Sequence, residues 1–213
     1  MTGKSRKERD DHRRQQEIRQ AALSIFASCG FHGATMSEIS RLSEYPLGTI
    51  YKYFSSKKQI YYELVIEKAR ELASILLKIS EQKDLNPSER LKRFLFANAE
   101  FYMENNEFIR IYISERSNID AVMMPKLNAK INRMHNRMVE LFQLTFEEGI
   151  AGRIFKPYPA REMAVLFSDI VHSAAWASLF KEEEENKLEQ RLNMVFEMFA
   201  QGVFNQPSAT MWQ

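Results

Sequence analysis

A helix-start pattern recurs along the chain, and it restricts the fold more than any other feature. Thr35-x-x-Glu38, Ser56-x-x-Gln59 and Asn86-x-x-Glu89 each place a capping oxygen three residues before a side chain that can bond back to the cap's own amide. Pro87 adds the residue best suited to a first helical turn. Apolar residues after each start recur at helical spacing, and seven glycines and six prolines in 213 residues leave few places to break. The expected fold is all-α, with about nine long helices joined by short turns.

The first helix carries Ile18, Ala22, Ile25, Phe26 and Cys29 on one side. It is expected to end at Gly30, a left-handed residue that lets Phe31 pack back on Phe26. The second runs from Thr35 to about Ser43, with Met36 and Ile39 inward, and the Ser56 box opens a helix over about 57–80. Asn86 starts a helix bearing Leu91, Phe94, Leu95, Asn98, Phe101 and Tyr102. NNEFIRIYISERS is a short helix, and 126–148 form a longer one that EEGIAGRIF is expected to break. Pro159 restarts a helix to about Phe180. The acidic run KEEEEN separates it from a last helix with Leu188, Leu192, Val195, Phe196, Phe199 and Val203 on one side.

Several classes of protein fall away on composition. Cys29 is the only cysteine, so there is neither a disulfide framework nor a Cys-rich metal site. The N-terminus is charged throughout and no segment approaches about 18 uninterrupted apolar residues, so the expected place is the cytoplasm, with no membrane contact. The four histidines include His135 and His172, but no H-E-x-x-H, G-x-S-x-G or phosphate-cradling loop accompanies them. Neither catalysis nor a cofactor is expected, and an all-α enzyme is the lesser alternative. The net charge of +2 is unevenly placed. Residues 1–58 hold eleven Lys or Arg against six Asp or Glu, which suits an anionic partner for the N-terminal third or a solvated helix face.

The stretch LSEYPLGTIYKYFSSKKQ, residues 42–59, concentrates the functional signal. Taking Ile50 as inward and stepping about 100° per residue puts Phe54 about 40° and Leu47 about 60° from it, facing the core. Gly48, Thr49 and Lys52 then form a narrow outward ridge flanked by Tyr51 and Tyr53. A small cationic ridge between phenols fits a groove between phosphate rails. Thr49 and Lys52 are placed for base edges, and Tyr51, Tyr53 and Lys57 for phosphates. Each tyrosine alone also fits a half-buried side chain that keeps its hydroxyl wet. With a short helix before it and a tight turn between, the stretch reads as a helix-turn-helix. The alternative is a helical adaptor that docks a protein partner on the aromatic ridge; steep salt dependence would separate DNA binding from apolar docking.

GFHGATMSEISRLSEYPLGTIYKYFSSKKQIYYELV resembles the DNA-binding domain of the tetracycline-repressor (TetR) family, with its G-T-I-Y-x-Y-F-x-S-K core, and RRQQEIRQAALSIFASCGF is similar to that family's first helix. The resemblance covers about residues 13–66. It implies an N-terminal three-helix DNA-binding domain with its basic arm over 1–56, a helical ligand-binding and dimerisation domain over 57–213, and a homodimeric regulator of double-stranded operator DNA. The candidate DNA contacts are Thr35, Ser37, Gly48, Thr49, Tyr51, Lys52, Tyr53 and Lys57. This chain departs from the family at Glu44, where glycine is usual, and at Tyr45-Pro46-Leu47 in place of a Ser and a basic residue. Before the first helix, Lys4, Arg6, Lys7 and Arg9 read either as a flexible basic arm for a minor groove or as a solubilising tail.

In the C-terminal domain the resemblance implies dimerisation through the last two helices. The expected interface is a stripe of Ala164, Ser168, Val171 and Ala175 with Phe196, Phe199 and Val203; burial inside one subunit is the other reading. Phe101, Tyr102, Met134, Met138 and Phe142 read as either an adaptable apolar pocket or plain core. Asn98, His135 and Trp176, with Asp169 and His172, are the groups placed to orient a small apolar or amphipathic effector. Its entry is expected to release the operator, which makes a repressor the leading reading.

Overall fold

The computed structural model describes residues 5–118, 125–179 and 185–204, with side chains described for 5–114, 129–174 and 187–204. Among the described residues the chain is nine helices: α1 (Arg6–Gly33), α2 (Met36–Ser43), α3 (Leu47–Tyr53), α4 (Lys57–Ser80), α5 (Pro87–Glu104), α6 (Asn106–Asn118), α7 (Pro125–Ala151), α8 (Ala160–Leu179) and α9 (Glu185–Val203). It divides into two compact units, one of residues 1–68 and 107–128, the other of 69–106 and 129–213. The division falls inside α4.

In the N-terminal unit, Thr35 caps α2 as the spacing requires. Its hydroxyl accepts from the Glu38 amide at 3.2 Å while the Glu38 carboxylate accepts from the Thr35 amide at 2.8 Å. The Ser56 hydroxyl accepts from the Gln59 amide at 3.3 Å, but the Gln59 side chain reaches one residue further back, to the amide of Ser55 at 2.7 Å. Ile18, Phe26, Ile39, Ile50, Phe54 and Ile60 are buried together with Tyr61 and Leu64 in this unit's core. Each large apolar side chain removed from water there contributes about 1.5–3 kcal/mol before entropy is charged against it.

Two expectations for α1 need correction. Gly30 does interrupt the helix, but at φ 71°, ψ 164°, a region essentially restricted to glycine, and a further turn follows to Gly33 before Ala34 closes it. Phe31 still packs on Phe26, with ring centroids 5.5 Å apart. Nor is the basic segment a flexible arm. Ser5 and Glu8 form a further capping box, and Arg6, Lys7 and Arg9 lie inside α1; Lys4 is outside the described residues. The box was legible in the sequence as Ser-x-x-Glu.

In the C-terminal unit, the Asn86 side chain accepts from the amides of Ser88 and Glu89, each at 3.0 Å, and Glu89 returns the bond. Phenylalanines build the core: Phe142 packs on Phe94 at 5.0 Å and on Phe167 at 5.1 Å, and Phe146 on Phe155 at 5.5 Å. EEGIAGRIF ends α7 as expected, three residues past Glu148. The helix runs through Gly149 to Ala151, and the turn is made by Arg153 at φ 59°. Gly149 is needed because the Phe155 ring folds back onto it; a Cβ there would sit 2.1 Å from a ring carbon. The Lys156 amide then donates to the Val203 carbonyl at 2.8 Å, and the Lys156 ammonium to Gly202 at 2.9 Å, tying the turn to the end of α9.

The stripe expected to meet a second subunit is instead core. Ala164, Ser168, Val171, Phe196 and Val203 are all buried within their own chain, and Phe199 is half-buried against the same cluster. The physical reason is the sheer supply of apolar faces: α5 packs on α8, so the small residues of α8 serve close approach inside the subunit. The side chain of Ala175 lies outside the described residues.

Candidate nucleic-acid interface

The turn between α2 and α3 is closed by the Ser40 hydroxyl, which donates to the Tyr45 carbonyl at 2.7 Å. Glu44 occupies the left-handed position at φ 58°, ψ 15°, where glycine would be free of strain. Pro46 then caps α3 through its carbonyl, which accepts from the amides of Thr49 at 2.8 Å and Ile50 at 3.1 Å.

Ile50 and Phe54 face inward as expected, each fully buried, but Leu47 does not. It is the first residue of α3, beyond the reach of the core, and is 37 % exposed. Gly48, Lys52 and Tyr51 are exposed, and Thr49 is half-buried. A Cβ on Gly48 would meet no atom of the chain within 4 Å, so nothing inside the protein requires glycine at this point of a helix. Thr35 and Ser37 are exposed at the start of α2. The Thr35 hydroxyl also donates to Glu38 at 2.8 Å.

Two of the expected phosphate contacts are engaged within the chain. The Tyr53 hydroxyl donates to Asp11 Oδ1 at 2.5 Å, which holds the Asp11 carboxyl below its ordinary range. Lys57 lies over the Phe31 ring, and its ammonium donates to the carbonyls of Phe31, His32 and Ala34 at 2.7–2.9 Å. All three of its N–H donors are thereby used, so Lys57 offers an interface charge and no further hydrogen bond. Across the turn, the Tyr45 hydroxyl donates to Glu17, whose carboxylate raises the phenol's pKa. Asp11 and Glu17 were missed as partners of the recognition helix. The available signal was the helical stripe of α1 continuing outward past Ile18 through Arg14 and Asp11.

In the C-terminal unit the residues expected to meet an effector separate into two groups. Phe142 and Met138 belong to the packed core, and Phe101 is buried. Met134 is half-buried. Four polar groups lie near one another. The His172 ring is 5.7 Å from that of His135 and 6.4 Å from that of Tyr102, and its Nδ1 lies 2.7 Å from the Ser168 carbonyl. Asn98, one turn from Tyr102 on α5, is buried; its Nδ2 donates to Phe94 at 2.8 Å and its Oδ1 has no hydrogen-bond partner. Asp169 is exposed, and the Trp176 side chain lies outside the described residues.

The exposed faces of α8 and α9 border an open groove of about 840 Å3, lined among others by Tyr158, Leu166, Ile170, Val195, Met198 and Phe199. Leu166 is 60 % exposed and Met198 69 %. No helix among the described residues is long and apolar enough to cross a membrane, and no group of three or more metal-ligating side chains gathers among them.

Comparison with known proteins agrees with this geometry. The chain is similar to the HTH-type transcriptional regulator YhgD of Bacillus subtilis, at 26 % identity over 148 residues, covering 68 % of this chain and 73 % of that protein. In fold it is similar to a tetR-family transcriptional regulator from Mesorhizobium loti, with a TM-score of 0.69 at 21 % identity, covering 94 % of this chain and all of the other. It is likewise similar in fold to AibR, solved in complex with isovaleryl coenzyme A and operator DNA, with a TM-score of 0.69 at 19 % identity over 87 % of this chain and 97 % of AibR. Residues 18–64, which hold the end of α1, the turn and α3, match the family of bacterial regulatory proteins of the tetR type.

Proposed function

We propose that this chain is a transcriptional regulator that binds duplex operator DNA as a homodimer in the cytoplasm and releases it when a small molecule binds the C-terminal unit. The observation that carries the DNA reading is the outward ridge of α3. A glycine costs a helix up to about 1 kcal/mol relative to alanine, and Gly48 has no packing reason to be one. Close approach of a groove supplies the reason, with Lys52 and Thr49 beside it for base edges and Tyr51 for phosphate.

A single short recognition helix reads too few base pairs for specificity, so two copies are needed on successive major grooves about 34 Å apart. The exposed apolar residues of α8 and α9, Leu166 and Met198 foremost, form the face for the second copy; this replaces the inward stripe. AibR is known with both an acyl coenzyme A and its operator. Here the effector site is the neighbourhood of Asn98, Tyr102, His135 and His172. A ligand that prefers the dimer form with mismatched recognition helices lowers operator affinity by its preference for that form.

The test is a set of variants. Gly48→Ala and Lys52→Ala should each lower affinity for a selected duplex about tenfold or more while helicity is unchanged, and Leu166→Glu with Met198→Glu should split the dimer in sedimentation. Wild-type affinity in the two α3 variants would overturn the DNA reading, and an intact dimer in the other would place the interface elsewhere.

A further inference from the structure

The recognition helix is not alone on its side of the N-terminal unit. Taking Lys7 as reference on α1 and stepping about 100° per residue, Asp11, Arg14 and Ile18 all lie within about 40° of it, on one stripe. Ile18 is fully buried in the core, so the stripe faces inward at its C-terminal end. It then continues outward about 16 Å along the axis to Lys7, at about 1.5 Å per residue, and meets the recognition helix at Asp11. Tyr53 proves the placement, since its hydroxyl bonds Asp11 at 2.5 Å. The same hydroxyl raises the pKa of Arg14 by hydrogen bonding, and Lys52, Lys7 and Arg14 all act on Asp11 to lower its pKa after Tyr53 has done so. Lys7, Arg14 and Lys52 are thus three cations around one carboxylate. Lys52 is part of the outward ridge of α3, and Lys7 is exposed.

We infer that the outer turns of α1, residues 6–14, are a second DNA-contacting element, in which Lys7 and Arg14 bind backbone phosphates flanking the bases read by α3, with Asp11 as the positioning residue that anchors them to Tyr53. The inference rests on the DNA-binding reading. Charge complementarity selects the partner. The cluster is left with a net excess of positive charge beside a recognition helix, where a duplex presents its phosphate rails, whereas an acidic peptide would have no reason to register with α3. The contact is helical and rigid, in contrast to a disordered arm that folds into the minor groove.

The test uses the full chain and a duplex of about 40 base pairs selected from random sequence by the wild type. Each phosphate contact contributes about 0.9 to the slope of log affinity against log salt, so Lys7→Ala with Arg14→Ala should make the dimer's slope shallower by about 2–4 units. Trimming the duplex flanks should cost the wild type affinity and the double variant almost none. Lys7→Arg with Arg14→Lys should restore the slope. Asp11→Asn should weaken flank dependence while both cations remain. A wild type that selects no duplex sinks the DNA reading and this inference together. A wild type with a steep slope, matched by an equally steep slope in the double variant, sinks this inference alone.

Discussion

Replacing Glu44 by glycine should stabilise the protein and tighten its grip on DNA, through two separable causes. Glu44 is exposed and left-handed at φ 58°, a conformation that costs a residue with a Cβ about 1–2 kcal/mol. Glycine removes that strain but also loosens the unfolded chain, which returns about 0.4–1 kcal/mol. The expected net gain is about 0.5–1 kcal/mol. A unit of roughly 90 residues should then melt about 2–8 °C higher, read by scanning calorimetry of the full chain. Charge acts separately. A carboxylate about 10 Å from a phosphate opposes it by about 0.4 kcal/mol in water, and 0.15 M salt screens much of that. Over two subunits and several phosphates, affinity should rise about two- to tenfold. Glu44→Gln separates the causes because it keeps the Cβ and loses the charge: its melting temperature should stay at the wild-type value while its affinity rises. If Glu44→Gly melts no higher than the wild type, strain at the turn is not the cost assigned to it; if neither variant binds more tightly, the carboxylate does not face the duplex.

Two further outcomes follow from the fold. Gly149→Ala places a Cβ into the Phe155 ring, and the overpacking should cost about 1–3 kcal/mol and lower the denaturation midpoint of the C-terminal unit, whereas Gly48→Ala should not destabilise its helix. Glu38 is held below the ordinary carboxylate range, first by the Thr35 hydroxyl and then by the Thr35 amide, so its contribution is complete above the unfolded pKa and is lost as pH falls through the lower folded value; thermal melts of Glu38→Gln against pH should lack that acid limb.

What was legible in the sequence were the features governed by local rules. The capping oxygens of Thr35, Ser56 and Asn86 and the inward pair Ile50 and Phe54 follow from spacing over four to eight residues, and the structure has them. The failures needed knowledge of which face meets which. Ala164, Ser168 and Val171 make a small-residue stripe suited to a close helix neighbour, but periodicity cannot say whether the neighbour is α5 or a second chain. Lys57 reads as an exposed cation because the carbonyls that hold it lie 23–26 residues away in sequence. Tyr53 likewise reads as a free phenol until Asp11, 42 residues earlier, is brought beside it.

The clasp of Lys57 on the end of α1 has a chemical consequence. Acylation of a lysine needs a neutral amine with its lone pair free, and this ammonium gives all three hydrogens to carbonyls 2.7–2.9 Å away. Lys52, on α3, is exposed. Under a mild acylating reagent Lys57 should therefore label only when α1 and α4 part, at a rate set by the fraction of molecules open at that junction. Its labelling relative to Lys52 is an internal clock for that opening, readable from one labelling reaction in cell extract.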